Sequence, residues 1–292
     1  MTVSAPLITF IDLDNLIIDT NKLFEDAHLE ILNDVEKLYN VKGLESREER
    51  LRFVRDLDEA IIQHKNGAKA YDAKLLVRAV ALHAGALRNE RDVALASALD
   101  ENVAEPWGLP ATAVETIADK FNRYAFVDGI PELLPGVKEA LERLHHDSDA
   151  LVLITENKDT ERCRRILEHY GLTHYFAERL LVGKKTTETY VELAKRYPAA
   201  PRFPHIMMGD QLDSDIAYAQ QAGFITIFVP GGFRPNYEKA YSRLIKPDYQ
   251  VATLLEAADI VRARRHSMAR SLHLGTTDFP DNAAKPVDFK PF

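Results

Sequence analysis

Five short, uninterrupted apolar runs constrain this chain more than any other feature: "LITFID" at 7–12, "ALVLITE" at 150–156, "RLLVG" at 179–183, "PHIMMG" at 204–209 and "ITIFVP" at 225–230. From the second run onward, each is followed by a stretch with helical spacing. A strand half exposed to water would alternate apolar with polar residues. Runs that stay apolar belong to strands buried on both faces, as in parallel sheets covered by helices on either side. The sequence therefore predicts a doubly wound parallel α/β core made of residues 1–19 and 131–261.

Residues 20–130 interrupt that core. Phe24, Ala27, Ile31, Val35 and Leu38 fall on one helical face, and the spacing recurs through Val54, Leu57 and Ile61, then Leu76, Val80 and Ala84. An all-helical module inserted after the first strand is expected, with "HKNGAK" at 64–69 and "AEPWGLPA" at 104–111 as connections between helices. Residues 262–292 carry few large apolar side chains and several prolines, which predicts a flexible C-terminal tail.

Composition excludes several functions. Of 292 residues, 46% are hydrophobic and 28% charged, the balance of a globular protein. A net charge of −8 argues against nucleic acid or an anionic membrane as partner, so an anionic ligand must be met by a local site. No window reaches the ~18 apolar residues that cross a bilayer, and the N-terminus lacks a basic, apolar leader, so a cytoplasmic location is expected. One cysteine, Cys163, excludes an internal disulfide and a multi-cysteine zinc site. It sits in a helical pattern as a packing residue.

The ends of the apolar runs carry the chemistry. In an open parallel sheet, ligands bind beyond the carboxyl ends of the strands, where residues distant in sequence converge. Here those ends offer Asp12 and Asp14, then Thr155, then Lys184 and Lys185, then Asp210, Asp213 and Asp215 in "GDQLDSD". So many carboxylates around one crevice repel each other unless a cation holds them. An all-oxygen ligand set without His or Cys suits a hard ion such as Mg²⁺. A metal, a lysine and a hydroxyl around a carboxylate make a site for a phosphoryl group, because the cations offset its charge while the carboxylate attacks phosphorus.

With these residues in place, the sequence resembles the haloacid dehalogenase (HAD) superfamily, through "DLDN", "LITEN", "GKKTTETY" and "MGDQLDSDI" in order, and through "LPGVKEAL" at 134–141, similar to the family's re-entry into its core. The inserted helices resemble its C1-type cap. The resemblance implies a phosphatase that hydrolyses a small phosphorylated metabolite through an aspartyl-phosphate. It makes Asp12 the nucleophile, Asp14 the general acid and then the base, and Thr155 a hydrogen-bond partner of the phosphoryl oxygens. It makes Asp12, the Asp14 carbonyl and Asp210 the Mg²⁺ ligands, with Asp215 bracing the lysine or a metal-bound water. Asp213 is the alternative to Asp215, which the spacing favours. Family spacing leaves two lysines, Lys185 preferred over Lys184. Leu16 departs from the pattern, standing where the family carries Thr. That departure keeps open a weakly catalytic, HAD-fold binding protein as an alternative. A carbon–halogen hydrolase of the same superfamily is a further alternative, against which Asp14 and "GDQLDSD" speak.

Elsewhere the ordinary explanations suffice. Asp19 and Thr20 read as caps of the first inserted helix, His145 and His146 as surface residues at a helix end, and Trp107 as packing. Arg234 is a candidate anion contact, and Lys65 or Asn66 a candidate substrate contact. No GxxxxGK[ST], GxGxxG, HExxH or GxSxG pattern occurs.

Overall fold

The computed structural model describes residues 6–39, 46–65, 72–84, 91–100, 110–156, 159–197, 204–232 and 241–274. They form two compact units, one made of the residues through Thr20 and those from Pro131 on, the other of Asn21–Ile130. The chain starts in β1 (Ile8–Ile11) and continues through α1 (Thr20–Tyr39), α2 (Arg47–His64), α3 (Ala73–Ala84), α4 (Arg91–Leu99), α5 (Ala111–Asn122) and a π-helical turn, Arg123–Asp128. It then follows α6 (Val137–Asp147), β2 (Ala150–Thr155), α7 (Thr160–His169), β3 (Glu178–Leu181), α8 (Thr187–Arg196) and β4 (Ile206–Gly209). A second π-helical turn, Leu212–Ala217, leads into α9 (Tyr218–Gln221), β5 (Ile225–Phe228), β6 (Tyr249–Gln250) and α10 (Leu254–Leu274).

The six strands make one parallel sheet in the order β3-β2-β1-β4-β5-β6. Successive side chains of a strand point to opposite faces, so each apolar run feeds two cores at once. Leu7, Ile11, Leu151, Leu153, Ile206 and Met208 pack with α6, α7 and α10. Ile8, Phe10, Val152, Ile154 and Met207 pack with Tyr190 and Leu193 of α8 and with Phe224. Register keeps the faces matched, with Phe10 beside Val152 and Ile11 beside both Leu153 and Met208. Full burial of side chains such as Phe10 and Ile11 contributes about 1.5–3 kcal/mol each.

The expected tail at 262–292 is corrected in its first part. Residues 262–274 continue α10, which buries Val261 and Met268 in the core. Ion pairs replace the missing apolar contacts: Arg262 Nε donates to Asp147 at 2.9 Å, and Arg265 Nη2 to Asp149 at 2.9 Å. Asp149 also accepts the Leu7 N–H at 2.6 Å, tying that helix to the entrance of β1. Residues 275–292 lie outside the described residues. The two-residue β6, at the sheet edge, had no counterpart among the expected runs.

The helical unit follows its predicted spacing except at Leu38, expected on the packed face of α1 and 45% exposed instead. Ala27, Ile31, Val35, Val54, Leu57, Ile61, Leu76 and Val80 share one core with Val114, Ala118 and Phe121 of α5. Ser46 caps α2, accepting the Glu49 N–H at 3.1 Å. No described helix is long and apolar enough to cross a membrane.

One polar group is carried into that core. His28 of α1 is 6% exposed, lies parallel to the Phe121 ring at 5.7 Å, and its Nδ1 meets no partner among the described residues. Burial, reinforced by the charge of Arg55, lowers its pKa from 6.5 to about 4. The unfolded chain thus takes up a proton at His28 that the folded chain refuses. Stability from neutral His28 is complete above pH 6.5 and is lost as pH falls toward 4, to a maximum of about 3 kcal/mol. Urea unfolding at pH 7 and pH 4.5 should show this loss, and His28→Gln should reduce it. An equal acid sensitivity in the variant would assign the loss to other groups.

Candidate active site

The sheet order sets the end of β1 between the ends of β2 and β4. Asp12 follows β1 directly, and its N–H donates to the Met208 carbonyl at 3.0 Å, which extends the β1–β4 pairing by one residue. The chain then turns tightly. Asn15 adopts a left-handed φ of 55°, a conformation Asn tolerates better than most residues. Ile17 and Ile18 N–H groups return to the Leu13 carbonyl at 3.0 and 3.2 Å. Leu13, Leu16, Ile17 and Ile18 are all buried in the core beneath. Leu16 therefore anchors this loop through apolar packing, where the family pattern carries a hydroxyl. Asp14 is half-buried and accepts a hydrogen bond from the Thr20 hydroxyl at 2.5 Å.

The end of β4 brings the next acids. Asp210 follows Gly209, and Asp215 lies in the first turn of the π-helical segment. Asp215 is locked by its own loop: its N–H donates to the Gln211 carbonyl at 3.1 Å, and its Oδ2 accepts the Gln211 N–H at 3.1 Å. Gly209 is required for this approach, because a Cβ there would sit 2.2 Å from the Asp215 carboxyl. The Tyr190 hydroxyl, fully buried, donates to the Ser214 carbonyl at 3.0 Å and braces the same turn.

Lys185 joins the two ends. Its ammonium donates to Asp12 Oδ1 at 2.5 Å and to Asp215 Oδ1 at 2.6 Å, and all three residues are at most 5% exposed. The residue after it, Thr186, caps α8 through a reciprocal hydroxyl pair with Thr189. The Lys185 N–H donates to Glu156 Oε1 at 2.7 Å. Burial alone would lower the Lys185 pKa, but Asp12 and Asp215 outweigh it and keep the ammonium charged. Burial pushes the Asp12 carboxyl up to about 7, with Lys185 pulling it down and Asp215 and Asp14 pushing it up.

Asp12, Asp210 and Asp215 each offer a carboxylate oxygen within 4.8 Å of the others, and all three are buried. One ammonium does not offset three buried carboxylates. The surplus negative charge and the all-oxygen donors fit a hard divalent cation such as Mg²⁺. The Asp14 side chain lies outside this trio, engaged by Thr20, and the ligand expected from Asp14 is its backbone carbonyl.

Other expected residues divide. Thr155 ends β2 and is buried. Lys184, retained from the sequence beside Lys185, is exposed instead, and its carbonyl accepts the Thr189 hydroxyl at 3.0 Å. The cap of α8 turns only the second lysine inward. Asp213 bonds the Ser214 N–H at 2.8 Å and is absent from the trio. Cys163 is buried, with its thiol pushed up to about 12, as suits packing and not nucleophilic attack. His145 and His146 bond the Tyr175 carbonyl and Asp147 at 2.9 Å. Lys65 is the exposed C-cap of α2, whereas Asn66, Trp107 and Arg234 lie outside the described residues. Sequence reasoning missed Glu156, a single acid after Thr155 that belongs to no pattern.

Comparison with known proteins shows the family of the chain. The model of a family described as haloacid dehalogenase-like hydrolase matches residues 8–223. Among curated proteins, a phosphoglycolate phosphatase of Aliivibrio fischeri is 32% identical over 143 residues, covering 46% of this chain and 61% of that protein. A glyceraldehyde 3-phosphate phosphatase of Methanopyrus kandleri is 24% identical over 155 residues, covering 51% and 64%. The chain thus spans about six tenths of the length of these relatives. A haloacid dehalogenase-like hydrolase structure from Xanthomonas campestris is similar at a TM-score of 0.57 and 17% identity, covering 91% of this chain and 99% of the other. A predicted phosphoglycolate phosphatase from Haemophilus somnus is similar at 0.54 and 23%, covering 89% and 99%. These two structures share the fold.

Glu156 holds the Lys185 backbone from outside the charge cluster. Glu156→Ala should free that segment and slow any turnover by about tenfold, the worth of one charge-assisted hydrogen bond, while Glu156→Gln, which keeps the acceptor, should recover most of it. Steady-state kinetics of the two variants checks this, and equal losses would point to the charge and not to the bond.

Proposed function

The chain belongs to the haloacid dehalogenase-like hydrolases, and we propose that it is a Mg²⁺-dependent phosphatase acting on a small phosphorylated metabolite through an aspartyl-phosphate on Asp12. The observation that carries this reading is the buried Lys185 ammonium shared by Asp12 and Asp215, with the Asp210 carboxylate beside them. The names of the curated relatives, which describe phosphatases of phosphoglycolate and glyceraldehyde 3-phosphate, support the substrate class.

In this mechanism an Asp12 oxygen attacks phosphorus, and the ester's alkoxide leaves with a proton from Asp14. The Asp14 carboxylate then takes a proton from water, whose oxygen attacks the phosphoaspartate, releasing phosphate and restoring Asp12. Two carboxyls divide these tasks because their surroundings differ: Asp12 is buried against Lys185, and Asp14 is half-buried on the Thr20 hydroxyl. Lys185 fixes the attacking carboxylate and offsets charge on the incoming phosphate. Thr155 donates to a phosphoryl oxygen. Mg²⁺ held among Asp12, Asp210, Asp215 and the Asp14 carbonyl would add the positive charge that polarises the phosphoryl group. A carbon–halogen hydrolase, whose halide leaves without a proton, would have no use for Asp14 as a general acid.

Purified protein should release phosphate from an aryl phosphate in Mg²⁺, stop in EDTA and resume when Mg²⁺ is returned. Asp12→Asn should lower kcat by about 10³-fold or more, and Lys185→Met by about 10²-fold. Full activity in Asp12→Asn, with its fold intact by circular dichroism, would refute the assignment.

A further inference from the structure

Tyr190 carries a hydroxyl where packing asks for none. It stands in the first turn of α8, wholly buried, in a core with Ile8, Phe10, Ile154, Leu193 and Phe224. Its ring meets the Phe224 ring edge-on, with centroids 5.4 Å apart. A phenylalanine would fill the same space and spare the chain the cost of taking a hydroxyl out of water. The hydroxyl is kept for its acceptor, the Ser214 carbonyl at 3.0 Å.

That carbonyl is half of the peptide unit that leads into Asp215. A peptide unit is planar, so fixing its C=O and its N–H fixes the direction in which the next residue departs. Both ends are held here: the Ser214 C=O by the Tyr190 hydroxyl, and the Asp215 N–H by the Gln211 carbonyl at 3.1 Å. Asp215 then divides its carboxylate, Oδ2 taking the Gln211 N–H at 3.1 Å and Oδ1 the Lys185 ammonium at 2.6 Å.

The other end of the link is the helix that follows Lys185. The Tyr190 N–H donates to the carbonyl of Thr186, the capping residue next to Lys185, at 3.2 Å. Lys185 and Asp215 are therefore joined twice, by their ion pair and through Tyr190. A second tie runs beside it, from the Thr187 hydroxyl to Gln221 Oε1 at 2.5 Å, between α8 and α9. Burial keeps the Tyr190 phenol protonated, so the donor is present at neutral pH.

We propose that Tyr190 is a positioning residue of the site: by holding the Ser214–Asp215 peptide plane against α8, it sets the Asp215 carboxylate on the Lys185 ammonium, and with it the fit of Asp12, Asp210 and Asp215 to a divalent cation. This rests on the Mg²⁺-dependent phosphatase reading and assigns part of its metal affinity to a residue that touches neither metal nor substrate.

The test compares Tyr190→Phe, which removes the hydroxyl and keeps the ring, with Phe224→Leu, which loosens the same core and leaves the hydrogen bond. Amide hydrogen exchange is followed on the metal-free proteins, Mg²⁺ binding by calorimetry without any ester, and stability by urea unfolding. In Tyr190→Phe the Asp215 and Ile216 amides, both bonded to the Gln211 carbonyl, should exchange about tenfold faster relative to the β1 amides, and the Kd for Mg²⁺ should rise about fivefold or more. Phe224→Leu should lower the urea midpoint at least as far, yet leave both the exchange ratio and the Kd within about twofold. An unchanged exchange ratio or Kd in Tyr190→Phe, or an equal rise in Kd in Phe224→Leu, would overturn the proposal. Failure of the unmutated protein to bind Mg²⁺ would count against the metal reading, and the exchange ratio, which needs neither metal nor ester, would then decide on Tyr190.

Discussion

A single buried ammonium organises this site. Lys185 bridges Asp12 from the end of β1 and Asp215 from the turn after β4, and without it those carboxylates would face each other in a low-dielectric interior. Removing one partner of a buried pair costs roughly 3–5 kcal/mol, since the remaining charge is stranded. Each contributor is accordingly held by its own backbone: Asp12 by Met208, Asp215 by Gln211, and Lys185 by Glu156 and the cap of α8. Three loops are thus pinned to one point. Preorganisation of that kind is what phosphoryl transfer asks of a protein, because positioned charge does most of the work.

The sheet makes the convergence possible. Placing β1 in the middle, with β2 and β4 as neighbours, brings three strand ends together however far apart they lie in sequence. Between β1 and β2 the chain can therefore carry a helical unit with its own core without disturbing the strand register. Gly209 shows how tight the tolerance is, since even one methyl there would collide with Asp215.

Much of this was legible in the sequence because burial on both faces leaves an unmistakable trace: Phe10 and Ile11 are adjacent and both apolar although they serve opposite cores. The strand-end acids were legible because topology gathers strand ends. Other features obey rules that periodicity does not record. The continuation of α10 past Val261 rests on Arg262 and Arg265 pairing with Asp147 and Asp149, contacts across more than a hundred residues of sequence. Spacing alone could not separate Lys184 from Lys185, and the choice fell to the Thr186 cap, which sets which side chain turns inward. Glu156 acts singly, through a backbone N–H, so it forms no pattern. The helical insert declared its core, since spacing reports which residues are buried.

The most direct measurement of the central claim is where phosphorus goes during turnover. Protein mixed with an excess of phosphate ester and Mg²⁺, quenched in acid within milliseconds and digested, should carry the added phosphoryl mass on the peptide containing Asp12, through an acyl bond that hydroxylamine cleaves. Phosphate released at a measurable rate with that peptide unmodified, or with the label on another residue, would contradict the account.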